Sequence, residues 1–140
     1  MANVRAKVFE YTASVDRDLR VSSEGEQPVE FGESWTPEHI LLAALLRCAI
    51  ASLTYYATPA GVAVSVQGEA HGTVTLREDE GVFGLVAADA RFDLELTPLP
   101  EPEALVKLLR KATAGCFVSN SLSVHPEFHW RVNGADVDLA

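Results

Sequence analysis

Hydrophobic and polar residues alternate with period two near the start of the chain, in VRAKVFEY (residues 4–11) and again in RDLRVSS (17–23), which predicts an opening hairpin or meander. SSEGEQPVEFGES (22–34) reads as turns around a short strand. The pattern changes at Thr36. In TPEHILLAALLRCAIASLTYYA, Thr36 is placed to cap a helix, Pro37 suits the first helical position, and Glu38 puts a carboxylate where the helix dipole favours it. Leu, Ile, Ala and Cys then occupy almost every side of the next three turns, which predicts a central helix buried on most of its circumference. After TPAG, period two returns in VAVSVQGEAHGTVTLRE and GVFGLVAADARFDLELT, with REDEG as the turn between two long antiparallel strands. EPEALVKLLRKATA (101–114) has the spacing of a second, amphipathic helix, acidic early and basic late, ended by Gly115. EFHWRV and ADVDL, on either side of Asn133-Gly134, close the chain as two short strands. The order strands, helix, strands, helix, strands predicts one α+β domain over residues 1–140, with antiparallel sheets wrapped around a long central helix.

Composition narrows the partners. The 140 residues, 48% of them hydrophobic, suffice for one real core, and the net charge of −9 works against nucleic acid or an anionic membrane, both of which need clustered cations. The first residues lack the long apolar run of a secretory signal. Residues 37–58 approach membrane-span length, but Glu38, His39 and Arg47 interrupt them. The expectation is a soluble, cytoplasmic protein whose two cysteines are free or redox-cycling.

Little conventional catalytic chemistry is visible. The four histidines, His39, His71, His125 and His129, form no HExxH, and there is no CxxC or G-x-S-x-G, so no metal site is expected. The cysteines remain. Cys48 lies in the apolar helix, where a thiol is most simply a small buried hydrophobe, although a cation such as Arg47 near a thiol favours the reactive thiolate. Arg47 itself leaves the helix about 100° away from Cys48. Cys116, in KATAGCFVSNSL (111–122), falls at the exit of the second helix among small residues that permit close packing. Two lone cysteines placed at helices also suit a pair that forms and breaks one disulfide.

Two segments carry a resemblance. TPEHILLAALLRCA resembles the Asn/Ser-Pro-Glu-x-Leu-Leu-x-Ala-Ala-x-x-x-Cys segment of the family of osmotically inducible protein C and the organic hydroperoxide resistance proteins. KATAGCFVSNSL resembles that family's second motif, Ala-x-x-x-Cys-Pro-x-Ser-x-x-Leu. The resemblance implies a thiol peroxidase for organic hydroperoxides and an intertwined homodimer. It makes Cys48 the peroxidatic cysteine, oxidised to a sulfenic acid, and Cys116 the resolving cysteine that condenses with it. It implies no bound cofactor, only an external dithiol electron donor such as lipoyl groups. Glu38 matches the family's helix-start glutamate. For the activating arginine, RDLRVSSEG is similar to the family's Arg-Asp-Gly-Arg stretch ahead of Val-Ser-Ser with one residue deleted, which favours Arg17, with Arg20 second. On a strand the two would point to opposite faces. Phe117 stands where the family has Pro, and Arg47 where it has a small residue.

Elementary geometry adds one constraint. Glu38 and Cys48 lie ten residues apart, about 15 Å of helical rise, so Glu38 would have to act on the thiol of an antiparallel partner helix. An apolar pocket walled by Leu45, Ile50, Leu53, Tyr55 and Phe117 would suit an alkyl or lipid hydroperoxide. Two other classes stay open. One is a binding protein of the same fold, for a small molecule or carried sulfur; the other is an interaction module with two inert core cysteines.

Overall fold

A computed structural model of the chain describes residues 8–25 and 27–139. It divides into two compact units, one up to Thr36 and one from Pro37 onward.

The first unit holds a short antiparallel hairpin of β1 (Ala13–Val15) and β2 (Val21–Ser23), in which Ala13 stands opposite Ser23 and Val15 opposite Val21. Of the alternating stretch at 4–11, residues 4–7 lie outside the described residues, and residues 8–11 are not strand. The strand expected over 17–23 is shorter too, because residues 16–20 form the hairpin turn. The Asp16 carboxylate organises it, accepting from the amides of Asp18 (2.9 Å) and Arg20 (3.0 Å). The expected strand in 22–34 reduces to one bridge, Val29 to Val21.

The second unit begins with α1 (Pro37–Ala57), followed by β3 (Ala63–Arg77) and β4 (Val82–Thr97), and both strands lie where the alternation predicts them. α2 (Pro102–Ala114) leads to a short helix that the pattern did not predict, α3 (Phe117–Ser121). β5 (Glu127–Val132) and β6 (Ala135–Val137) complete a four-stranded sheet in the order β3-β4-β5-β6. Asn133 and Gly134, both at positive φ, make the tight turn between the last two strands. The sheet is not wholly antiparallel: β5 runs parallel to β4, with Phe92 beside Trp130. The intervening α2 and α3 supply the crossover that a parallel pair requires.

Alternation in β4 decides which face carries the core. Ala90, Phe92, Leu94 and Leu96 are buried against the helices, while Arg91, Asp93 and Glu95 between them are exposed. Phe92 stacks on Trp130 at 4.6 Å between ring centres, and Leu105, Leu108 and Leu109 of α2 join the same core. The α+β class therefore stands. The expectation for α1 needs correction, since within one chain only Leu45, Ala49, Ser52, Leu53 and Ala57 are buried. These positions form one stripe at helical spacing, and Ile40 to Ala44 remain half-buried.

Candidate functional site

The joint between α2 and α3 is what brings Cys116 to α1. Thr113 donates to the Leu109 carbonyl (2.9 Å) and accepts from the Trp130 indole (3.3 Å), which ties the last turn of α2 to β5. Asn120 reaches back across the joint, its side chain to the Ala114 carbonyl (2.9 Å) and its amide to the Cys116 carbonyl (3.0 Å). Cys116 precedes α3 in extended conformation and is fully buried. Its thiol points at the Leu45 carbonyl of α1, 4.0 Å away.

Gly115 does not end α2 in the left-handed conformation expected of a glycine there, since its φ is −85°. Its reason is close approach. A Cβ at Gly115 would lie 2.5 Å from Ser52 Oγ, 3.1 Å from the Lys111 carbonyl and 3.2 Å from the Tyr56 ring. Gly115→Ala is expected to cost about 1–3 kcal/mol by overpacking, measured as a fall in the urea midpoint at unchanged slope. Ser52 is 8% exposed, and its hydroxyl has no hydrogen-bond partner among the described residues. The sequence reading passed over this residue, although a single serine one turn after Cys48 on an apolar helix was a visible signal.

Cys48 and Cys116, both free thiols, are therefore neighbours, the first half-buried and the second at 0% exposure. Burial pushes the Cys116 thiol up to about 11 from an ordinary 9.0; the Ser119 amide opposes this, and a side-chain hydrogen bond with Cys48 adds to it. A raised value means that folding favours the protonated thiol. This contribution is complete below pH 9.0 and is lost as the pH climbs to about 11. The urea midpoint of the wild type is expected to fall across that window more steeply than that of Cys116→Ala, and parallel curves would contradict it.

The other predicted residues are distributed differently. Glu38 sits in the exposed first turn of the same continuous helix as Cys48, so the rise between them keeps it from the same chain's thiol. It lines an apolar groove of about 270 Å³ with Leu41, Leu42, Phe83 and Leu85. Arg47 is exposed and makes no ion pair among the described residues. Arg17 and Arg20 belong to the first unit and lie in the hairpin turn, so the opposite-faces argument does not apply to them. Arg20 is held by Asp16 (2.9 Å) and Asp18 (3.5 Å), and its amide is the largest influence keeping the Asp16 carboxyl below its usual range. Arg17 is exposed, with no ion pair among the described residues.

One chain assembles the expected apolar pocket only in part: Ile50 and Tyr55 share an open groove of about 610 Å³ with Arg47 and Thr54. Leu45 and Leu53 are core residues at 1% and 0% exposure, whereas Tyr55 and Phe117 stand in solvent at 73% and 68%. His129 faces Glu127 at 3.8 Å, and no three His, Cys, Asp or Glu side chains among the described residues converge on a metal-sized site.

Comparison with known proteins agrees with this architecture. A search of curated sequences gave no significant match. Among solved structures, an OsmC-like protein of unknown function from Vibrio cholerae superposes with a TM-score of 0.73 at 18% identity, covering 88% of this chain and 99% of that one. An OsmC-like protein from Mycoplasma pneumoniae gives 0.68 at 17% identity over 91% and 99% of the two chains. An organic hydroperoxide resistance protein from Elizabethkingia anophelis gives 0.62 at 19% identity over 92% and 100%. At these identities the likeness is one of fold. The sequence profile described as OsmC-like protein matches residues 30–131, which span both cysteine segments, every element from α1 through α3 and most of β5. On that match over most of its length, the chain belongs to the OsmC-like protein family.

Proposed function

We propose that this protein is a cysteine-based reductase of organic hydroperoxides, working as a cytoplasmic homodimer. One observation carries the reading: the fold sets its two cysteines, far apart in sequence, side by side at the α1 surface. Their environments differ in the way that a two-step thiol cycle requires. Cys48 is partly accessible, whereas Cys116 is buried and held as a thiol.

In the first step the Cys48 thiolate attacks the terminal oxygen of ROOH. The O–O bond breaks, the alkoxide takes up a proton equivalent to the one that Cys48 lost on ionising and departs as ROH, and Cys48 becomes a sulfenic acid. Cys116 then attacks the Cys48 sulfur, its thiol proton leaves with the displaced hydroxide as water, and a disulfide forms. An external dithiol, such as a lipoyl group, returns both sulfurs to thiols by exchange. An arginine would hold the attacking thiolate and polarise the peroxide. Arg17 is the better candidate because Arg20 is already engaged by two aspartates. Glu38 would orient that arginine from the partner chain.

The dimer reading rests on α1. Its length and composition would allow a membrane span, yet the chain covers only one stripe of it. Arg47 at mid-helix would be costly in lipid, about 2.5–3.5 kcal/mol, and the buried stripe is already seated on α2 and the sheet. A second copy of the same helix is the cover that these residues fit, and it would complete the alkyl pocket. Resemblance to organic hydroperoxide resistance proteins in fold and in both cysteine segments supports the same activity. The test is to count free thiols in the reduced protein before and after one equivalent of cumene hydroperoxide. Rapid loss of two thiols to an intramolecular disulfide is expected. Survival of both would leave the binding-protein class as the better reading.

A further inference from the structure

Three hydroxyls on the helices of this chain fold back onto their own backbone. Thr54 donates to the Ile50 carbonyl at 2.9 Å, Thr113 to Leu109 at 2.9 Å and Ser121 to Phe117 at 2.7 Å. Ser52 is the contrast. It is 8% exposed, its hydroxyl makes no such bond, and its oxygen lies over Gly115, where a Cβ would be only 2.5 Å away. Leaving a buried hydroxyl unpaired costs about 1–3 kcal/mol, which an alanine on the same stripe would avoid.

Position gives the hydroxyl a use. Ser52 follows Cys48 by one helical turn on α1, and Gly115 immediately precedes Cys116 at the joint of α2 and α3. Ser52 facing Gly115 is thus the rung next to Cys48 facing Cys116. Serine needs only a change of χ1 well to re-aim its oxygen. We propose that Ser52 serves the disulfide-closing step, its hydroxyl swinging from Gly115 to donate a hydrogen bond to the Cys116 sulfur as that sulfur gives up its proton. The inference rests on the peroxidase reading above. In that step the Cys116 S–H bond breaks, the S–S bond forms and the S–OH bond of Cys48 breaks. The proton leaves with hydroxide as water, and Ser52 keeps its own proton.

The charged form of Cys116 would otherwise meet few favourable groups. Burial disfavours it, the Ser119 and Val118 amides favour it without closing a capping hydrogen bond, and Cys48 disfavours it. The remaining titratable groups at the joint are Tyr56 of α1, against Gly115, and Lys111 of α2, over the Tyr56 ring at 5.7 Å.

Two measurements test the proposal. In a Cys48→Ala background, the ultraviolet thiolate absorbance of Cys116, taken as the difference from Cys48→Ala/Cys116→Ala between about pH 8 and 10, reports its thiolate fraction with neither peroxide nor a reagent that must reach the buried sulfur. Adding Ser52→Ala is expected to lower that fraction about tenfold at each pH, as loss of a donor to a charged group would. With both cysteines present, Ser52→Ala is expected to leave sulfenic acid formation after one equivalent of cumene hydroperoxide unchanged and to slow disulfide closure by about the same factor. The fold should tolerate the change, because a methyl replaces an unpaired hydroxyl. A parental thiolate fraction together with closure at the parental rate would overturn the role of Ser52. Absence of sulfenic acid in the parent would overturn the peroxidase reading instead, and the thiolate titration would still decide whether Ser52 supports the Cys116 thiolate.

Discussion

Cys48→Ser is expected to lose hydroperoxide reduction by about a thousandfold or more, because a hydroxyl is a far weaker nucleophile than a thiolate and the remaining thiol, Cys116, is buried. Cys116→Ser should behave differently. It should consume one equivalent of hydroperoxide in a single turnover and stop at a Cys48 sulfenic acid trapped by dimedone. The asymmetry follows from burial: the half-exposed cysteine meets the oxidant, and the buried one meets only its neighbour. Stopped-flow peroxide consumption with mass spectrometry of the products separates the two variants. If Cys116→Ser were inert and Cys48→Ser still consumed one equivalent, the assignment would be reversed. Equal activity in both would remove the cysteines from the chemistry.

The wild type is expected to elute and scatter light at twice its 15.1 kDa chain mass at micromolar concentration, and Tyr55→Asp to elute as a monomer without activity. Tyr55 is 73% exposed on the side of α1 opposite the buried stripe, in a groove that it shares with Ile50, Ala51 and Thr54. A carboxylate there can stay hydrated in a monomer but not between two helices, where an unpaired buried charge costs several kcal/mol. Circular dichroism should show the helices retained, since the Leu45-to-Ala57 stripe is untouched. A wild type that is monomeric at these concentrations would remove the partner-supplied Glu38 and arginine from the mechanism.

Much of this site was legible in the sequence. Thr36-Pro37-Glu38 marked the start of α1, and the two cysteine segments carried the family resemblance that the profile match bears out. The reading failed where a residue's role depends on what lies across from it. Leu45 and Leu53 looked as suitable for a pocket as for a core, and only packing against α2 and the sheet makes them core. Arg17 and Arg20 were placed on a strand because their neighbours alternate; Asp16, by gathering the amides of the turn, outweighs that alternation.

By itself the amino-acid order determined the local elements. Helical and strand periodicities, turn residues and caps act over a few residues and are written consecutively in the chain. It also determined that α1 is too apolar to stand bare in water, without saying what covers it. Tertiary structure alone decided the parallel β4–β5 pairing, the seat of Cys116 against Leu45, and the glycine at 115, which makes room for Ser52. Each of these joins residues far apart in sequence. Periodicity records that a face is buried, but the identity of the opposing atoms is set only when the chain closes on itself.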